Sequence, residues 1–277
     1  MSAAARAAES RRLLRDALCA MVAQSSRWRK TPSEESLHDF RISLRRCRGL
    51  LRVLKDEFPK RDIQPLRLAL SRAAGCLGEV RDLDVMLELI AEVDHHHKPP
   101  GKTDVLVKAI QRQRLARYNR AVRLFSGPSW TRIQARIDRL LLSSDKRSAG
   151  AGGHSMKELA DREFRRLVRS VERVEALAEA RDAESLHNFR TRLRRLRYFG
   201  RIMADYVPKR RRRKIKGIRD CEQQLGRVHD VYVALAWVVR HPRSAPAWLP
   251  GILTDVRTQR HNHFVEIWRK KKGLTDF

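Results

Sequence analysis

Apolar residues recur every three or four positions along nearly the whole chain, and strand-like alternation is nearly absent, so the pattern predicts an all-α protein. Leu13, Leu14, Ala17, Leu18, Met21 and Val22 mark a first amphipathic helix over 9–30. Thr31-Pro32-Ser33-Glu34 predicts the start of the second, with Thr31 as cap, Pro32 in the first turn and Glu34 reaching back as in a capping box. That helix runs to about Phe58 and is stopped by Pro59, and further helices are expected at 62–93, 103–126 and 129–143. Ser144 to Ser155 is poor in large apolar residues and rich in Gly, Ala and Ser, which predicts a linker. The helical pattern then restarts at 155–179, 183–206, 209–240 and 247–272, punctuated by Pro208, Pro242 and Pro246.

The restart is a repeat. ESLHDFRISLRRCRGLLR at 35–52 aligns without a gap with ESLHNFRTRLRRLRYFGR at 184–201, and LGEVRDLDV at 77–85 aligns with LGRVHDVYV at 225–233. Two homologous helical halves are expected, 1–145 and 155–277 joined by a linker at 146–154, each a bundle of about four helices.

Within the first repeated stretch, His38, Arg41, Arg45, Arg48 and Arg52 occupy the spacing at which helices usually place leucines. At 100° per residue they fall in an arc of about 80°, a cationic ridge about 21 Å long. Phe40, Leu44, Cys47 and Leu51 fall on the opposite, core-forming side. The second copy repeats the ridge with His187, Arg190, Arg194, Arg197 and Arg201, while Arg46 and Arg195 flank the two ridges. Most charge runs are solvated helix faces, but those mix signs because like charges one turn apart destabilise a helix. No acid interrupts the ridge from His38 to Arg52, so it calls for an anion from outside.

The whole composition agrees. Sixty-one Lys and Arg against 32 Asp and Glu give a net charge of +29 in 277 residues, far beyond what solubility needs. A polyanionic partner is implied: nucleic acid, an anionic membrane surface or a long inorganic phosphate polymer. Arginine dominates the ridges, which favours phosphate oxygens held by planar bidentate hydrogen bonds. His38 and His187 can donate from both ring nitrogens when protonated, and neither has a carboxylate or second His one turn away to make a metal site.

The doubled HxxRxxxRRxR stretch followed by LGxx(R/H)D resembles the CHAD family, the conserved histidine α-helical domain, from about residue 8 to 272. The resemblance implies two four-helix bundles related by a pseudo-twofold axis and an inorganic polyphosphate-binding module with a central basic groove. Members are found with polyphosphate granules, and some are fused to a CYTH triphosphatase domain, whose ExExK signature this chain lacks. Carried onto this sequence, the binding positions are His38, Arg41, Arg45, Arg46, Arg48, Arg52, His187, Arg190, Arg194, Arg195, Arg197 and Arg201. The second half departs from the first with His229 in place of Arg81 and Tyr232 in place of Asp84.

Lys209, Arg210, Arg213 and Lys214, with Lys216 and Arg219, open a helix and are expected to share the anion groove, helped by the helix dipole. Asp82 and Asp230, beside Arg81 and His229, either hold ridge arginines in fixed rotamers or form ordinary ion pairs. Gly78 and Gly226 read as sites of close helix packing. His95-His96-His97 reads as a loop tract, His261 and His263 as unrelated positions, and Trp237, Trp248 and Trp268 as core or bundle-capping residues. Cys19, Cys47, Cys76 and Cys221 read as buried hydrophobes in a reducing compartment.

No nucleophile with a paired base, Gly-rich phosphate loop or acidic metal pair emerges, so no catalytic residue, metal or cofactor is expected. With neither a signal peptide nor an apolar run of membrane-spanning length, a cytoplasmic, non-enzymatic protein at polyphosphate granules is expected. Nucleic acid, RNA above all, is the alternative partner, disfavoured because Phe40 and Phe189 lie on the core side where they cannot stack on bases. A metal-dependent phosphohydrolase is a distant third.

Overall fold

The structure, a computed structural model, describes residues 3–97, 103–145 and 155–271, and among them no strand occurs. The helices are α1 (Ala3–Lys30), α2 (Glu34–Val53), α3 (Lys60–His97), α4 (Asp104–Ser126), α5 (Pro128–Asp145), α6 (Met156–Glu172), α7 (Ala183–Ile202), α8 (Lys209–Gly217), α9 (Arg219–Arg240) and α10 (Leu249–Lys270), with a 3-10 turn at Glu175–Glu179. The expected all-α class is what the chain adopts. The expected linker at 146–154 lies outside the described residues.

Several boundaries differ from the sequence expectation for local reasons. The cap of α2 is Ser33, two residues later than Thr31: its hydroxyl accepts from the Ser36 N–H at 3.0 Å, and the Ser36 hydroxyl accepts from the Ser33 N–H at 2.9 Å. Ser36 therefore closes the box in place of Glu34. The run 95–97 is not a loop, because α3 continues to His97; Val93 stays buried and Pro99 is the next breaker in sequence. The expected helix over 209–240 is broken at Ile218, which is fully buried and lies between α8 and α9.

Grouped by internal contacts, the chain forms two compact units, one of residues 1–78, 118–164 and 201–207, the other of 79–117, 165–200 and 208–277. Each takes segments from both sides of the 146–154 stretch, so the units cut across the repeat halves. In the first, α1 packs along α2 and α5. Its core is aromatic: Trp28 stacks on Phe40 at 5.8 Å, and Phe125 meets Phe40 and Trp130 edge-on, each at 4.9 Å. Two contacts tie distant segments of this unit together. The Ser10 hydroxyl donates to the Met156 sulfur at 3.2 Å, and the Tyr206 hydroxyl donates to Glu9 Oε1 at 2.9 Å.

The second unit packs α9 against α10. One of its apolar clusters joins Leu83, Met86 and Ile90 of α3, Leu106 and Ile110 of α4, Val231, Ala234 and Trp237 of α9, and Leu249 and Leu253 of α10. Trp237 donates from its ring nitrogen to Gln113, and Phe189 of α7 packs edge-on against Trp268 at 4.9 Å. Trp237 and Trp268 are thus core residues, and Trp248 packs at the edge of the cluster.

The cysteines divide. Cys47 and Cys221 are buried, and burial pushes their thiols up to about 12 and about 11, whereas Cys19 is exposed and Cys76 half-buried, contrary to the uniform burial expected. Gly78 is also corrected: a Cβ there would meet nothing within 4 Å, so it permits no close helix contact.

Candidate polyanion-binding helices

α2 buries Leu37, Phe40, Leu44, Cys47, Leu50 and Leu51, and the Cys47 thiol bonds the Ala17 carbonyl at 2.9 Å, which fixes the helix's rotation in the first unit. His38 and Arg46 are consequently exposed, and Arg41, Arg45, Arg48 and Arg52 half-buried, their stems lying along the protein. Arg48 donates to the Ser71 hydroxyl at 3.2 Å. Asp39, the acid between His38 and Arg52 in sequence, lies off the ridge and is held by Arg27 at 3.1 Å. Arg48 and Arg52 also line a cleft of about 300 Å³ together with Gln64, Arg67, Leu68 and Ser71 of α3.

α7 is built the same way in the second unit, with Leu186, Phe189, Leu193, Leu196 and Phe199 buried. His187 and Arg195 are exposed, and Arg190, Arg194 and Arg197 are half-buried. Arg201 is exposed and belongs to the first unit. Acids stand close to this ridge. Arg197 lies 3.1 Å from the carboxylate of Glu222, itself buried on α9, and donates to the Tyr198 hydroxyl at 3.1 Å. Arg190 carries a buried Nε with no hydrogen-bond partner. Its pKa is lowered by burial and by Arg194, against the opposing fields of Asp230, Glu222 and Asp82. Asp230 is the counterpart, with a carboxyl raised by burial despite Arg190.

His187 and His229 meet with ring centroids 5.2 Å apart. Burial, then the charges of Arg190, His187 and Arg194, push His229 down to about 4, so its imidazole is neutral near pH 7. Arg81, at the position equivalent to His229, instead forks onto Glu88 at 2.7 and 3.3 Å. Asp84 takes Arg114, and Tyr232 donates to the Arg181 carbonyl. The two repeats therefore differ in the partners that these equivalent positions take. Gly226 faces the Arg190 guanidinium, about 3.8 Å from where a Cβ would lie, so it accommodates an arginine.

The basic run on α8 is seated by Ile215, whose methyl groups lie 2.6 and 2.7 Å from where a Cβ on Gly200 would be. Lys209, Arg210, Arg213, Lys216 and Arg219 are exposed and Lys214 half-buried. Glu222 escaped the sequence reading, although its place two turns before His229 puts it on the same side of α9. Tyr198 escaped it too: it stands among the arginines, with Arg197 4.8 Å and Arg194 5.7 Å from its ring centroid. Among the described residues no cluster of three or more His, Cys, Asp or Glu could hold a metal ion. None of their helices is long and apolar enough to cross a membrane.

Helical packing of this kind, with a His-headed arginine ridge on α2 and another on α7, defines a class of basic all-α domains. Residues 12–239 match the CHAD domain family, and the chain belongs to that family. Its fold is similar to the crystal structure of the CHAD domain from the plant Ricinus communis, with a TM-score of 0.69, 19% identity, and coverage of 98% of this chain and 92% of that one. It is likewise similar to PptA from Streptomyces chartreusis, with a TM-score of 0.69, 15% identity and 98% of each chain covered. No curated protein matches in sequence.

Proposed function

We propose that this protein binds inorganic polyphosphate through the α2 and α7 ridges without hydrolysing it, and resides at cytoplasmic polyphosphate granules. The observation that carries the reading is the α2 ridge, whose arginines Arg41, Arg45, Arg48 and Arg52 are half-buried and directed by a predominantly apolar opposite face. Membership of the CHAD family supports it. Half-burial strengthens each guanidinium's hold on a phosphate, because competing water is partly excluded.

Nucleic acid offers the same phosphates but also bases. Phe40 and Phe189 are fully buried, and the arginines over Tyr198 compete for its ring, so the ridges present little stacking surface. Competition binding of long-chain polyphosphate, tRNA and duplex DNA at one ionic strength tests the assignment. Polyphosphate is expected to bind tightest, with no phosphate released over hours in Mg²⁺ or Mn²⁺. Tighter binding of either nucleic acid would reverse the ranking.

A further inference from the structure

The cleft beside the end of α2 differs from the ridge that leads to it. Arg48 and Arg52 are the last two members of that ridge, and α2 ends at Val53. On the facing side, Gln64, Arg67, Leu68 and Ser71 fall at the three- and four-residue spacing of one face of α3. The lining thus brings three guanidiniums from two helices around about 300 Å³, with Gln64 and Ser71 as neutral hydrogen-bonding groups, and among the described residues it contains no carboxylate. A volume of that order is what small-molecule sites enclose.

A linear oligophosphate has two kinds of phosphate. An internal one has two non-bridging oxygens and one negative charge. A terminal one has three non-bridging oxygens and, like a phosphate monoester, a second ionisation with pKa of about 6. Three guanidiniums lining one cleft match three oxygens and a dianion better than two oxygens and a monoanion.

We propose that this cleft is a chain-end site taking the terminal phosphate of a linear oligophosphate, while the rest of the α2 ridge takes internal phosphates. The proposal rests on the polyphosphate reading of that ridge. A nucleoside triphosphate offers the same terminal group as an inorganic chain, so the test includes both.

Tripolyphosphate has two free ends, ATP one and a dinucleoside triphosphate none. Their affinities are measured without divalent cation, for the unchanged protein, Arg67→Gln, Ser71→Asp, and Arg41→Gln as a ridge control. ATP should bind more tightly than the dinucleoside triphosphate, and that ratio should grow between about pH 5 and 7.5 as the end becomes a dianion. Arg67→Gln should shrink the ratio by about tenfold, the worth of one charge-assisted hydrogen bond. Ser71→Asp, which adds a carboxylate to the cleft, should shrink it too, while Arg41→Gln lowers both affinities alike. Tripolyphosphate binding tighter than ATP by more than the twofold statistical factor would name the inorganic chain as the source, and equal binding per end would admit nucleotides; both support the end site. A ratio unchanged by Arg67→Gln and Ser71→Asp, or changed equally by Arg41→Gln, while long chains still bind, overturns the end site alone. Failure of the unchanged protein to bind long-chain polyphosphate removes the ridge reading and the end site together.

Discussion

His229 is neutral in the folded protein because protonation would place a charge in a half-buried site already facing Arg190, Arg194 and His187. Its pKa falls from the ordinary 6.5 to about 4. Between those values the unfolded chain holds a proton that the folded chain does not, so stability falls as pH drops through the window and levels off below it. The His229 contribution is at most about 3 kcal/mol. His261, lowered mainly by burial, works in the same direction. Asp230 works against both, since its raised carboxyl gains a proton more readily in the folded state just above its ordinary value of 3.8. Urea titrations from pH 7 to pH 4 should show the decline, and His229→Asn should flatten it without abolishing it. An identical slope in the variant would mean that the imidazole is not desolvated.

The helices owe their faces to apolar spacing, and two glycines test how tightly those faces fit. A Cβ on Gly200 of α7 would fall 2.6 to 3.3 Å from three carbons of Ile215, whereas a Cβ on Gly78 of α3 would meet open space. Gly200→Ala should therefore cost about 1–3 kcal/mol by overpacking. Gly78→Ala should stabilise by about 0.4–1 kcal/mol, since helical backbone suits alanine better. Chemical denaturation of the two variants checks this, and a loss of stability in Gly78→Ala would restore the packing role that the sequence suggested. The contrast shows which parts of an element a sequence discloses. The buried faces of α2 and α7 were readable because Phe40, Leu44 and Cys47, or Phe189, Leu193 and Leu196, repeat at helical spacing. The cap of α2 was misplaced because Ser33 and Ser36 satisfy each other, a reciprocity that competing Thr31 and Glu34 candidates conceal. Glu222 was overlooked because its role exists only where α9 crosses Arg197.

At the scale of the molecule, +29 charges are held in compact units, and their repulsion opposes folding. A polyanion bound only by the folded state relieves that repulsion and stabilises by mass action. Saturating polyphosphate at low salt should raise the melting temperature, and the increment should shrink as salt screens the ridges. Arg45→Ala should reduce the increment and serves better than Arg197→Ala, which would leave the buried Glu222 carboxylate without its ion pair. An unchanged melting temperature would mean that the ridges do not engage the polymer. The ridges were legible because the absence of acids along them is a property of sequence alone, while the cleft at Arg67 depends on where α3 lies after its turn.

The contact between Tyr206 and Glu9 carries a consequence for how the protein is made. Its partners are 197 residues apart in one compact unit. During translation at about 5–20 residues per second, Glu9 waits about 10–40 s for Tyr206 to be synthesised. The α2 arginines are synthesised early in that interval, and for the rest of it they stand in an incomplete unit beside the ribosome, an assembly rich in RNA phosphate. The order of synthesis thus exposes the nascent basic helix to the wrong polyanion before the contacts that complete its unit can form.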